Sequence, residues 1–219
     1  MTCPFRSVTF FLRIFAAMKK TLVILTLTLF TLQLKAQDTD VLLDLIKNEG
    51  QTVSTIEADL HHVKVKDGVT TTQDGTLHYV APYNMAAVFT TGQYLIANEK
   101  KLKVDIGIFH GNFRLYDGGI PNALTNVFLY AFQGRFEDLA KENDFNLSVI
   151  PGDDEHTLVF TAKKKPFLGI GYQSAVFKVN AHDLRVKEIN TTDFKGTVET
   201  YSLHNEKYGI EVDMSRFQM

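Results

Sequence analysis

The run Gly75–Ile108, GTLHYVAPYNMAAVFTTGQYLIANEKKLKVDIGI, restricts the fold more than any other part of the chain. Short alternating segments parted by turn formers read as strands, here Thr76–Val80, Asn84–Phe89, Tyr94–Ala97 and Lys101–Ile108. The breaks fall at Ala81-Pro82, Thr91-Gly92 and Asn98-Glu99. Side chains alternate across a strand, so Leu77 joins Tyr79, Met85 joins Ala87 and Phe89, and Leu102 joins Val104 and Ile106 on one face. A meander with one apolar face needs a cover for it.

The segment PNALTNVFLYAFQ, Pro121–Gln133, is the candidate cover. Proline is well placed in the first turn of a helix, where its missing N–H costs little. Leu124, Val127, Phe128 and Ala131 form one stripe, and Leu129, Tyr130 and Phe132 extend it most of the way round. A helix apolar on nearly every side cannot rest on one sheet and face water with the rest. Two readings fit: a helix simply buried in the core, or a lid with one side packed and the other facing a cavity. Periodicity does not separate them. After Gly134, Arg135–Glu142 reads as a short amphipathic continuation bearing Phe136 and Leu139.

The remaining segments are mostly strands. Asp38 or Thr39 can cap a helix carrying Val41, Leu42, Leu45 and Ile46, which Gly50 ends. Ile56–Lys66 alternates as Ile56, Ala58 and Leu60, then Val63 and Val65, and the change of face at His61-His62 suggests a bulge or strong bend. Phe145–Ile150 and Thr157–Ala162 flank a turn at Pro151–Glu155. Ala175–Asn180, with Ala175, Phe177 and Val179 inward, is followed by Arg185–Thr191 and Thr197–Asn205. Ile210–Asp213 is a candidate last edge. Roughly ten strands in hairpin steps with two main helices make an α+β chain, one antiparallel sheet rolled into an incomplete barrel.

The N-terminus reads differently. Met18-Lys19-Lys20 opens a charged region, Thr21–Leu34 is apolar, and Leu34-Lys35-Ala36 precedes a polar chain at Gln37. This is the pattern of a secretory signal peptide cut after Ala36, with Met18 the natural start. The apolar run is short for a bilayer span. Residues 37–219 then form a single exported domain. Five basic residues and no acid leave with 1–36; set against 23 basic and 25 acidic residues in all, that gives a net charge of −7. Such a balance argues against nucleic acid as a partner. Cys3, the one cysteine, leaves as well, so neither a disulfide nor thiolate chemistry is available.

Motifs for catalysis are missing. The chain has no nucleophile elbow, Walker loop, HExxH or CxxC. Gly169-Ile170-Gly171 lacks the third glycine and following helix that a dinucleotide site needs. Asp153-Asp154-Glu155 lacks the ligand spacing of a calcium loop, and Lys163–Lys165 before Pro166 reads as a charged guard after a hydrophobic strand. His61 and His62 are adjacent on a strand and point to opposite faces, which speaks against a shared metal ion. The sequence thus predicts no enzyme, cofactor or metal.

The order of several short motifs resembles LolA-type periplasmic lipoprotein carriers. These are the signal peptide, a short helix, Ile56-Glu57-Ala58-Asp59-Leu60, and Gly75-Thr76-Leu77 running into Tyr79-Val80-Ala81-Pro82. Asn98–Leu102 sits where that family has a turn, and the tail is similar through Val176–Asn180, Val186–Asn190, Gly196–Tyr201 and Phe217. The resemblance implies an eleven-stranded half-barrel closed by helices around a hydrophobic cavity. It also implies a periplasmic monomer that takes acylated lipoproteins or lipid from an inner-membrane ABC-type transporter to an outer-membrane acceptor. By position, Leu77, Tyr79, Met85, Ala87 and Phe89 would line the concave face, with Tyr94, Ile96 and Phe177 completing the acyl-chain cavity. Leu124, Val127, Phe128, Ala131 and Phe132 would form the helical lid. The family places an arginine before the strand proline to help latch the lid; this chain has Ala81 there, and Ala87 where a tryptophan is usual. The alternative is a periplasmic sensor or interaction module on the same scaffold, binding another lipid or an envelope protein.

Overall fold

The computed structural model describes residues 39–99, 101–106, 109–114, 120–165 and 171–218, with the backbone alone at 109 and 120–125. Two compact units divide the chain, Met1–Leu42 and Leu43–Met219. Of the first unit only 39–42 are described, and they are helical. The signal peptide expected over 1–36, the start at Met18, Pro166, and Gly169 with Ile170 lie outside the described residues.

The second unit opens with helical residues 43–52 (α1), followed by β1 (Thr55–Lys66), β2 (Val69–Val80), β3 (Asn84–Phe89), β4 (Tyr94–Ala97), β5 (Lys101–Ile106) and β6 (Phe109–Arg114). Then come α2 (Ile120–Phe132), α3 (Phe136–Glu142), β7 (Phe145–Ile150), β8 (Glu155–Ala162), β9 (Tyr172–Asn180), β10 (Val186–Asp193) and β11 (Val198–Tyr208). All eleven strands belong to one antiparallel sheet in the order β6-β5-β4-β3-β2-β1-β11-β10-β9-β8-β7. The sheet stays open between β6 and β7, the α+β incomplete-barrel class expected from the sequence.

Cross-strand pairing carries the inward side chains from strand to strand. Met85 pairs with Tyr79 and Ala97, Ala87 with Leu77 and Leu95, and Gly75 with Leu60 and Phe89. His62, Tyr201, Ile189, Phe177 and Leu158 continue this face across β11, β10, β9 and β8. Most of these residues are buried, as the covered face of such a sheet has to be.

Four local expectations need correction. β1 and β2 pair without a break from Thr55–Val80 to Lys66–Val69, so there is no bulge at His61-His62. His62 is the inward residue there, and Val63 and Val65 belong to the other face; the irregularity lies on the β11 side, between Glu57 and Asp59. β2 starts at Val69, because its threonine-rich start pairs with β1 as an exposed ribbon without apolar alternation. Gly50 lies inside α1, which runs to Thr52. Ile210–Asp213 forms no strand; the chain ends instead in a 3-10 turn at Met214–Phe217, capped by Asp213 accepting from the Ser215 N–H, with Phe217 buried.

Candidate functional site

Gly75 shapes the middle of the inner face. A Cβ there would lie 2.4 Å from the Val88 carbonyl oxygen and 3.0 Å from the Phe89 ring, so any side chain would push the strands or that ring away. The same face carries an apolar hollow bordered by Leu60, Leu77, Met85, Ala87, Phe89, Leu95 and Ile106 of β1 to β5 and by Ile189, Tyr201 and Leu203 of β10 and β11. Phe128 and Phe132 of α2 face into it. Phe128 meets Tyr201 edge-on with ring centres 5.0 Å apart, and Phe132 lies 5.4 Å from the Tyr79 ring. These rings fill the hollow down to about 20 Å³. That is room for roughly one water molecule, and the lining offers water almost no partner.

The other side of α2 is also packed. Ala131 borders a small cleft with Ile46, Gly50 and Val53 of the α1 region. Gly134 ends α2 with φ of 66°, and a Cβ on it would lie 2.4 Å from the Ile46 carbonyl oxygen. One on Gly50 would lie 2.3 Å from the Gln133 backbone, so the two glycines let the helices cross at close range. The Gln133 side-chain amide donates to the Pro82 carbonyl at 2.6 Å, tying the end of α2 to the turn between β2 and β3. Beside it, burial pushes the Tyr79 hydroxyl up to about 12, with the Gln133 side chain pulling the other way.

The residues expected to form the cavity divide into three groups. Leu77, Met85, Ala87 and Phe89 border the hollow, and Tyr79 lies on the same face against Phe132. Tyr94 and Ile96 do not belong: they pair with Val88 and Ala86 and face the other side, while Leu95 between them points in. Every residue of Tyr94–Ala97 is apolar or aromatic, so alternation alone does not set the phase. Phe177 is inward but lies under α3, 5.1 Å from Phe136 and 5.2 Å from Phe160. Of the helical residues, Phe128 and Phe132 line the hollow, Ala131 faces the α1 cleft, and Val127 is buried without bordering the hollow. The Leu124 side chain lies outside the described residues.

Several residues at the site are not evident from the sequence. Continuing Ile56, Ala58, Leu60 by one more step of two gives His62. This ring stacks on Tyr201 with centres 4.4 Å apart and planes 8° apart, and it lies 5.5 Å from Phe89. Its Nδ1 accepts from the Gln73 amide at 2.9 Å, and the Gln73 oxygen accepts from the Thr91 hydroxyl at 2.7 Å. Across the strands, Glu199 holds Lys64 at 2.8 Å and accepts from the Tyr201 hydroxyl at 2.9 Å. Burial lowers the His62 pKa, opposed by Glu199 and reinforced by Lys64 and His61. A polar groove of about 580 Å³ begins here, bordered by His62, Lys64, Gln73, Thr91 and Gln93, and it shares Ile106 with the apolar hollow. His61 points to the opposite face, where its Nδ1 lies 2.7 Å from Asp74 Oδ1. Among the described residues no group of three or more His, Cys, Asp or Glu is placed to hold a metal ion.

No protein-family model and no curated protein matches the sequence. Solved structures do match. A LolA superfamily protein from Nitrosomonas europaea is 13% identical over 80% of this chain and 97% of its own, with a TM-score of 0.40. A putative outer membrane lipoprotein-sorting protein domain from Vibrio parahaemolyticus is 10% identical over 80% of this chain and 94% of its own, with a TM-score of 0.40. MucB of Pseudomonas aeruginosa, in its complex with MucA, is 8% identical over 83% of this chain and 61% of its own, with a TM-score of 0.42. The first of these carries the name of the superfamily that the sequence resembles. The likeness stops at the fold.

Proposed function

We propose that the protein is an exported, non-enzymatic carrier of acyl chains, moving lipoproteins or related lipids through the periplasm. The observation that supports it most is the placement of Phe128 and Phe132 over an apolar hollow on the inner face of the sheet. Each methylene removed from water contributes ~0.8 kcal/mol, so a 16-carbon chain gains on the order of 12 kcal/mol when fully buried. A carrier must offset much of that to release its cargo. In the closed hollow the protein's own rings occupy the space, and an entering chain has to displace them. Loading gives up ring–ring and helix–sheet packing that release restores, and this moderates affinity. The resemblance to the LolA-type carriers extends the proposal to an inner-membrane ABC-type donor and an outer-membrane acceptor.

Displacement of a fluorescent acyl probe tests this reading. The wild-type protein should bind the probe and Phe128→Glu should lose it, because a carboxylate would be carried into the acyl site. Undiminished binding by a folded Phe128→Glu protein would count against the assigned pocket. The second reading, a periplasmic interaction module, is favoured by one observation: the hollow is already filled. Extraction of the protein purified from its native envelope separates the two, since a carrier should release acylated material and a module with a solid core should not.

A further inference from the structure

The groove beside the hollow contains a buried donor that has no acceptor among the described residues. His62 is 3% exposed, and its Nε2 has no hydrogen-bond partner among the described residues. Gln73 turns its amide nitrogen towards Nδ1, which makes Nδ1 the acceptor and leaves the ring proton on Nε2. Thr91, donating to the Gln73 oxygen, fixes that amide in turn. The chain therefore orders three side chains so as to present a buried N–H that meets no acceptor among the described residues. Such a group costs stability unless something else supplies one.

Its place says what that something is. One edge of the ring's surroundings is apolar, with Phe89 and Tyr201 lining the hollow; the other is the groove, with Thr71, Thr72 and Gln93 among its borders. Lys64, the charge nearest His62 along β1, is paired with Glu199, and the groove's other charges, Lys66 and Asp67, lie further along at the β1–β2 turn, so the contact beside His62 is with a neutral acceptor. A ligand spanning both regions has an apolar tail and a neutral acceptor where the tail ends. We infer that the groove receives the ester end of a diacylglyceryl group, with His62 Nε2–H donating to an acyl carbonyl oxygen while the chain occupies the hollow. This rests on the acyl-carrier reading for the tail and adds a positioned contact for the head. Both a free glycerolipid and a lipid-modified protein N-terminus carry that chemistry.

The test compares displacement of an acyl probe by hexadecane, by dipalmitoylglycerol and by a dipalmitoylglyceryl-cysteine peptide. One well-placed hydrogen bond is worth about tenfold in affinity. The wild-type protein should prefer the esters over hexadecane by that order, and His62→Phe, which keeps a ring against Tyr201, should bring the ratio close to one. Loss of preference for one ester only would assign the source, lipid or lipid-modified peptide. Should His62→Phe fail to fold, the wild-type Nε2–H resonance is the readout, shifting downfield with esters and staying in place with hexadecane. An unchanged ratio in the variant, or an unmoved resonance, overturns the head-group site and leaves the carrier standing. Failure of all three ligands to displace the probe would overturn both.

Discussion

The same inner face is finished in two ways. Under α3, Phe136, Phe160 and Phe177 interlock, with centres 5.1 to 6.0 Å apart, Phe145 adds an edge contact to Phe160, and Leu139 and Leu158 are fully buried. Under α2, Phe128 meets Tyr201 and Phe132 meets Tyr79, and a small pocket remains between helix and sheet. Aromatic pairs add to area burial only where both rings are held. The α3 end therefore reads as an anchor and the α2 end as a part able to come apart.

Truncation breaks that comparison most directly. Phe177→Ala should cost about 3 to 5 kcal/mol, the range for an aromatic removed from a core that cannot collapse. Chemical denaturation measures it. Phe128→Ala should cost clearly less, because its side chain keeps some exposure whereas Phe177 has none. Equal losses at the two positions would mean that the hollow is ordinary core and that α2 is not poised to move.

The overall sheet and the inward phase of most strands are legible in the sequence because alternation and turn chemistry act locally, whereas Phe177, expected in the cavity, belongs to the cluster under α3. Met85, Ala87 and Phe89 recur at every second position of a strand bounded by turn formers, which marks their face. Tyr94–Ala97 offers no polar residue to mark a face, so only pairing with β3 decides that Leu95 points in. His62 is hidden for the opposite reason. A polar residue at an inward position interrupts the pattern and imitates a bulge, and only the continuous pairing of β1 with β2 removes the ambiguity. The close approach of α1 to the end of α2 at Gly50 and Gly134 is long-range and leaves no local signature. Gly50 imitates a helix stop because that is what glycine most often means near a helix end.

A smaller effect should follow from the tie at the end of α2. Gln133→Leu removes the donor to the Pro82 carbonyl, which then lacks that partner. Stability should fall by about 1 kcal/mol, and if the tie holds α2 closed, acyl-probe affinity should rise roughly fivefold as the open form becomes less costly. A loss of stability with unchanged affinity would place Gln133 in the anchor and not in the moving part.

The smallest difference concerns pH and the two buried histidines. His62 lies on the inner face and His78 on the outer one, where its Nδ1 is 3.7 Å from Glu57 Oε2. Burial lowers both pKa values; Arg216 adds to the shift at His78 and Glu57 opposes it. A histidine kept neutral by the fold contributes fully above its unfolded pKa of about 6.5, and that contribution is lost as pH falls through the lower folded value. Thermal midpoints should therefore drop between about pH 7.5 and about pH 5, and His62→Phe and His78→Phe should each flatten the drop. The two variants part company in the ligand. A bound acyl ester satisfies the His62 N–H and leaves His78 untouched. Added ester should accordingly raise the midpoint of the His78→Phe protein as it does the wild type, and raise that of His62→Phe less. Equal shifts would remove any distinction between the two faces in ligand sensing.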